Sequence, residues 1–172
     1  MPEVDAKSLR ELQRPLKDRY RADPGAARTP AHAEARLDAT GISATLDRWG
    51  GTVTAGLHPA TGGDGSLACS ADLLLEAVAA CAAVTLRSVS VAMGVELRDA
   101  SVVVDGHWDA RGTLGVDREA PVGLTDVSIS FSFSSDADDA TTERLVQLAE
   151  RYCVVAQTLK SPPNVTVRRA PA

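Results

Sequence analysis

Aromatic side chains are scarce, with two Trp, two Tyr and two Phe in 172 residues. A core made without them rests on Ala, Val, Leu and Ile, and such small groups let backbones approach closely. Cysteine is also scarce and odd in number: Cys69, Cys81 and Cys153. Three thiols do not make the paired framework that staples small secreted domains, which leaves packing or redox chemistry for them. Positive charge is in the minority, 18 Lys and Arg against 23 Asp and Glu, for a net charge of -5. No basic run compensates, so a protein that grips nucleic acid through a general basic field is excluded. No uninterrupted apolar run approaches the roughly 18 residues of a membrane span, and MPEVDAKSLRELQRPL lacks the apolar segment of a secretory signal. A cytoplasmic protein with no nucleic-acid and no membrane partner is the expectation.

What is present is ordinary for a globular chain: 44% hydrophobic and 24% charged residues in a length that suits one core. Residues 1–30 read as a helical arm and linker, because Leu9, Leu12, Leu16 and Tyr20 recur at helical spacing before Pro24, Gly25 and Pro30 interrupt. Residues 31–172 read as the domain. Alternation in ARLDA and ISATLDR predicts strands, and Trp49-Gly50-Gly51 predicts a hairpin into TVTAGL. Ser70 to Met93 contains no Pro or Gly and is apolar almost all round, which predicts a buried helix with Ser70 as N-cap and Gly94 as its stop. Val95 to Trp108 predicts a strand, a bend and a second strand, with a turn at DARG. Val127, Ile129, Phe131 and Phe133 alternate with serines in a half-buried antiparallel strand. A further helix starts near Asp138 or Asp139, with Leu145, Leu148, Ala149, Tyr152, Cys153 and Ala156 on one stripe, and NVTVR predicts a closing strand. Strands, buried helix, strands and amphipathic helix give an α+β fold.

Cys81 lies mid-way along the apolar helix and Cys153 on the stripe of the next, so both should face the interior. The plainer reading is that they pack as small hydrophobes. The functional one is a redox pair, in which one thiolate attacks a peroxide oxygen and the second thiol captures the sulfenic acid. No CxxC or HxxxH spacing supports a zinc site, and Gly62-Gly63-Asp64-Gly65 lacks the order and context of a dinucleotide loop, so no metal and no cofactor is expected. His58 could line a pocket mouth, whereas His32 and His107 have no recognisable partner.

The chain resembles the OsmC/Ohr family of osmotically inducible and organic-hydroperoxide-resistance proteins. GGDGSLACSADLLLEAVAAC (Gly62 to Cys81) is similar to that family's glycine-rich loop and Ser-Pro-x-Glu-Leu-Leu-Leu helix ending in cysteine. ERYCVVAQTL (Glu150 to Leu159) is similar to its later Cys-Pro-Val helix, and VDGHWDARGTLGV resembles the strand and turn between them. Ser70 and Val154 stand where the family pattern has proline, and Glu76 interrupts an otherwise apolar helix.

The resemblance implies an OsmC-like fold, antiparallel sheets on long central helices in an intertwined homodimer. It implies a thiol peroxidase acting on organic hydroperoxides, with Cys81 the attacking and Cys153 the resolving thiol, regenerated by a dithiol reductant such as a lipoyl protein or a small thiol. It also implies an arginine near Cys81 held by an acid. Asp72 matches the acidic position of one branch, and Arg48, with Arg36 as the alternative, is the arginine of the early strands. Cys69, where the dipole of the helix would favour a thiolate, is a further candidate resolving thiol. The competing reading is a protein of the same fold that binds a small apolar or lipid-like ligand while the cysteines merely pack.

Overall fold

The computed structural model describes residues 4–170; residues 1–3 and 171–172, the outer ends of the two expected segments, lie outside it. Helix α1 (Ala6–Ala22) opens on a reciprocal cap: the Ser8 N–H donates to the Asp5 carboxylate at 2.8 Å and the Asp5 N–H to the Ser8 hydroxyl at 3.0 Å. Two donors that a helix start leaves open are thereby satisfied. A single 3-10 turn over Pro24–Ala27 follows, and α1 lies against the long helix α2 (Ser70–Met93).

The first sheet has the order β1 (Ala35–Leu37), β2 (Ser43–Arg48), β3 (Gly51–Gly56), β4 (Ala68–Cys69), antiparallel except for the β3–β4 pair. The expected hairpin is there, with Arg48 paired to Gly51 across Trp49-Gly50 and Gly51 at φ 114, a conformation that a side chain would strain. The β1–β3 strands meet the rest of the chain chiefly through β4.

Because β4 runs directly into α2, the N-cap is Cys69 rather than Ser70, and no side chain caps the helix. Gly94 ends it as expected, at φ 71, with the Val95 N–H donating to the Ser90 carbonyl at 2.9 Å. α2 is long and apolar enough to cross a membrane by length and composition, but one side of it is packed in this fold, where Val78, Ala82, Leu86 and Ser90 are buried. The opposite side is open: Ala77, Ala80 and Ala83 are exposed and Val84 is 71% exposed.

The second sheet is a ribbon of β5 (Arg98–Trp108) and β6 (Leu124–Ser134), antiparallel. The predicted bend is a bulge in one continuous strand, at Asp99, whose φ of 50 is the one positive value off glycine among the described residues. The DARG turn is a single helical turn, α3 (Ala110–Thr113), capped by Asp109. Val102 pairs with Phe131 and Val104 with Ile129, so the alternation of the sequence delivers one apolar face. That face packs on α2 and on α4 (Asp139–Tyr152) and α5 (Val154–Lys160), in two clusters centred on Val78, Ala82, Cys153 and Ala156 and on Leu86, Val95, Leu145 and Ala149. The α+β class stands.

Three expectations fail at the C-terminal end. The single helix expected through Ala156 is two, broken at Cys153, where ψ is 101. Tyr152, expected on the buried stripe, is exposed: it is the last residue of α4, and the buried stripe of that helix ends at Ala149. NVTVR forms no strand: residues 162–170 have no regular structure, and Val165 and Val167, with no neighbouring strand to pair them, are exposed.

Candidate active site

The break between α4 and α5 is held locally. The Cys153 N–H donates to the Glu150 carbonyl at 3.3 Å, and the Gln157 side-chain amide donates to the same carbonyl at 2.9 Å. Lys160 pairs with the Glu150 carboxylate. With an extended residue at Cys153, the start of α5 packs against α2 beside Cys81.

Cys81 and Cys153 are thus brought together from different helices, 1% of Cys153 remaining exposed while Cys81 is half-buried. Burial alone would keep the Cys81 thiol neutral. It is outweighed by the N–H of Val155, the thiol of Cys153, the N–H of Val154 and the hydroxyl of Thr85, all of which favour the thiolate, so Cys81 sits below the ordinary thiol range. Cys153 moves the opposite way. Burial raises it, the Ala156 N–H opposes, and both its hydrogen bond to Cys81 and the negative charge forming there raise it further. Cys81 ionises first, and Cys153 stays protonated beside it. Thr85, one turn after Cys81 on the same face of α2, was the one participant whose spacing could have marked it in the sequence.

The other candidate residues are not drawn to this pair within the chain. Asp72 is exposed in the first turn of α2, about 14 Å along the helix from Cys81 at 1.5 Å per residue. Arg48 is exposed at the hairpin tip, and Arg36 pairs with Asp47 at 2.9 Å and Glu34 at 3.5 Å on the outside of the first sheet. Neither arginine contributes to the lowering of Cys81. Glu76 is on the open side of α2. Cys69 is buried at the start of α2, about 18 Å along the helix from Cys81, too far to resolve it in the same chain.

Two of the cavities that flank α2 lie toward its N-terminal half. One, of about 410 Å³, is lined by Leu74, Leu124, Val127, Ile129, Ala156 and Leu159, with Thr125 and Lys160 at its polar side. Ile129 and Ala156 also pack around the cysteine pair, so this apolar space adjoins it. The second, of about 420 Å³, holds Cys69, His58 and Trp108. His58 therefore lines a cavity, though not that of the pair: its Nδ1 accepts from the Ala60 N–H at 3.0 Å and its ring stands edge-on to Trp108. His32 and His107 are exposed. Among the described residues no three His, Cys, Asp or Glu side chains converge as metal ligands.

A family model described as OsmC-like protein matches residues 63–168, which takes in both cysteines, α2, the β5–β6 ribbon and the broken helix. The chain belongs to the OsmC family. Solved structures agree on the fold. An OsmC-like protein from Mycoplasma pneumoniae superposes with a TM-score of 0.65 at 17% identity, over 78% of this chain and 89% of that one. An organic hydroperoxide resistance protein OsmC from Legionella pneumophila gives 0.57 at 15%, over 78% and 93%. An organic hydroperoxide resistance protein from Elizabethkingia anophelis gives 0.57 at 11%, over 78% and 92%. At such identities the likeness is one of fold. No curated protein matches the chain. Within this OsmC chain, α1 precedes the matched region altogether.

Proposed function

We propose that this protein is a thiol peroxidase that reduces organic hydroperoxides through Cys81 and Cys153. Family membership suggests a redox or peroxide-resistance role. The observation that carries the finer reading is the asymmetry of two free thiols packed in one cluster: Cys81 is partly accessible and Cys153 buried, and their surroundings lower the first and raise the second. The Cys81 thiolate attacks the distal oxygen of ROOH. The O–O bond breaks, the alkoxide takes a proton and leaves as ROH, and Cys81 carries the oxygen as sulfenic acid. Cys153 sulfur then displaces that oxygen as water and forms the Cys81–Cys153 disulfide, which a dithiol reductant returns to two thiols by exchange. The apolar cavity beside the pair suits an alkyl group and disfavours hydrogen peroxide, which has none to bury.

The working form we propose is a homodimer. The open side of α2, with Ala77, Ala80, Ala83 and Val84, is an apolar patch that soluble monomers avoid, and a second subunit would cover it. The same assembly is the route by which Arg48 or Arg36 and Asp72 could reach a cysteine pair they do not reach within one chain.

The decisive experiment is thiol titration before and after one equivalent of cumene hydroperoxide. Loss of two thiols per chain with an intramolecular Cys81–Cys153 disulfide supports the peroxidase. Unchanged thiols overturn it in favour of a ligand-binding protein of the same fold.

A further inference from the structure

The arm outside the family match has a chemistry of its own. Between Asp5 and Ala22 there are six basic residues (Lys7, Arg10, Arg14, Lys17, Arg19, Arg21) against three acidic ones, a net charge of +3. The chain as a whole carries -5, so the remainder carries -8. Six of the chain's 18 basic residues therefore stand on one helix, a net-positive segment of an acidic chain. That helix also has an apolar stripe, Leu9, Leu12, Leu16 and Tyr20, and the chain covers it only in part: Leu12 is 66% and Leu16 48% exposed. At about 100° per residue, Lys17 and Arg19 flank the stripe on either side, while Lys7, Arg10, Arg14 and Arg21 share the polar face with Glu11 and Asp18. Among the described residues of α1, Arg21 is the one base in an ion pair, with Asp18 at 2.7 Å. No residue of α1 is buried. The linker from Arg28 to Glu34 is exposed and without regular structure, so the basic helix rests on α2 while its chain connection to the acidic body is an irregular tether.

We propose that α1 is a lipid-surface helix, which lies in the headgroup region of an anionic bilayer with Leu12 and Leu16 inserted, Lys17 and Arg19 on the lipid phosphates, and the remaining bases adding to its net positive field. Low overall apolarity, a sharply segregated polar face rich in Lys and Arg, and leucines on the other face are what such a position demands. Long basic side chains beside the stripe extend to the headgroups while their stems stay on the acyl boundary. The charge separation between arm and body fixes the orientation: an anionic surface attracts α1 and repels the rest, so the tethered helix is the part that docks. The expectation of no membrane partner rested on the absence of a spanning run, and a helix lying on the surface needs none. This binding does not depend on the peroxidase reading.

The test is co-sedimentation of the full chain with vesicles of phosphatidylcholine alone or mixed with phosphatidylglycerol. Binding to the mixed vesicles is expected to exceed that to phosphatidylcholine by about tenfold and to fall at 0.5 M salt, where the field is screened. A Leu12→Glu, Leu16→Glu variant should lose about tenfold in binding while its circular dichroism and its Cys81 alkylation rate stay unchanged. Equal binding to both vesicle types, or a variant that sediments like the parent, overturns the proposal. So does a variant that changes the oligomeric mass in solution without changing vesicle binding, since the stripe would then serve a protein contact.

Discussion

Val154→Pro removes one N–H beside the thiol at the centre of the site. Val154 is the first residue of α5, where proline's fixed φ is already the helical one, and Cys153 before it is extended, as a residue preceding proline must be. The Val154 side chain is 72% exposed, so little packing is lost. Its N–H makes no backbone bond that proline would break. What the substitution removes is one of the donors that favour the Cys81 thiolate. Val154 stands behind the Val155 N–H and the Cys153 thiol among the groups that favour the thiolate, so its loss is a fraction of a full charge-assisted hydrogen bond, which is worth about 1.5–3 kcal/mol. The Cys81 midpoint should rise, and at fixed pH below it the thiolate fraction should fall by less than the tenfold that about 1.4 kcal/mol would give. Iodoacetamide alkylation of Cys81 against pH reads this directly, in a Cys69→Ser, Cys153→Ser background so that one thiol reports. The two curves should be separated near neutrality and meet at high pH. Val154→Ala, which keeps the N–H, should follow the parent. A Val154→Pro midpoint that coincides with the parent's refutes the assignment of the N–H as a donor.

Peroxide consumption should be abolished in Cys81→Ser, because a neutral hydroxyl cannot replace a thiolate as nucleophile; single-turnover loss of cumene hydroperoxide measures it. Cys153→Ser should consume about one peroxide per chain and stop with one added oxygen on Cys81, visible by mass spectrometry. In the parent, the rate of the first step should fall as pH drops through the lowered Cys81 midpoint and show no inflection from Cys153, whose raised midpoint keeps it protonated throughout that range. Gly63→Ala should destabilise the chain by at least about 2 kcal/mol, seen as a lower Tm, because a Cβ there would stand 1.8 Å from the Leu57 carbonyl oxygen.

The parts of the fold that the sequence announces are those where local chemistry and tertiary need coincide. Ser70 to Met93 is legible because the absence of breakers, the Asp72 charge and Gly94 all agree. Phe131 and Phe133 are legible because one face is buried and the other is serine. The N-cap moved to Cys69 because strand β4 enters the helix without a loop, a fact of pairing with Gly56 that no local pattern carries. The missing strand at NVTVR shows the converse: two valines in alternation specify an edge only when a neighbour offers one. Of the site, the two cysteines are legible and their juxtaposition is not, since it depends on how α4 and α5 cross α2. Arg48, Arg36 and Asp72 came from a resemblance, and a single chain leaves all three away from the pair.

The break at Cys153 ties these strands of argument together. Nothing in RYCVVAQ would stop a helix on propensity, for Val154 and Val155 are only mildly unfavourable and Cys is neutral. A continuous helix would direct the N–H groups of Val154 and Val155 to the carbonyls one turn back, at Glu150 and Arg151, and none would be left for Cys81. In the broken form the Glu150 carbonyl is instead claimed by the Cys153 N–H and the Gln157 amide, while Lys160 holds the Glu150 carboxylate. The pattern that this chain resembles has proline at this position, and a proline has no N–H to give. Here Gln157 and Lys160 hold the break, and Val154 leaves an N–H beside the sulfur that favours its thiolate, in a chain whose own arginines lie elsewhere. Replacing Gln157 by Ala should then do what a change at Val154 does, through the backbone. With one of its two bonds to the Glu150 carbonyl gone, the helix can re-form through Cys153, the donors turn away, and the Cys81 midpoint rises while that of Cys153 falls. A Gln157→Ala variant in which Cys81 alkylates as in the parent would show that the break is held by packing of Cys153 alone.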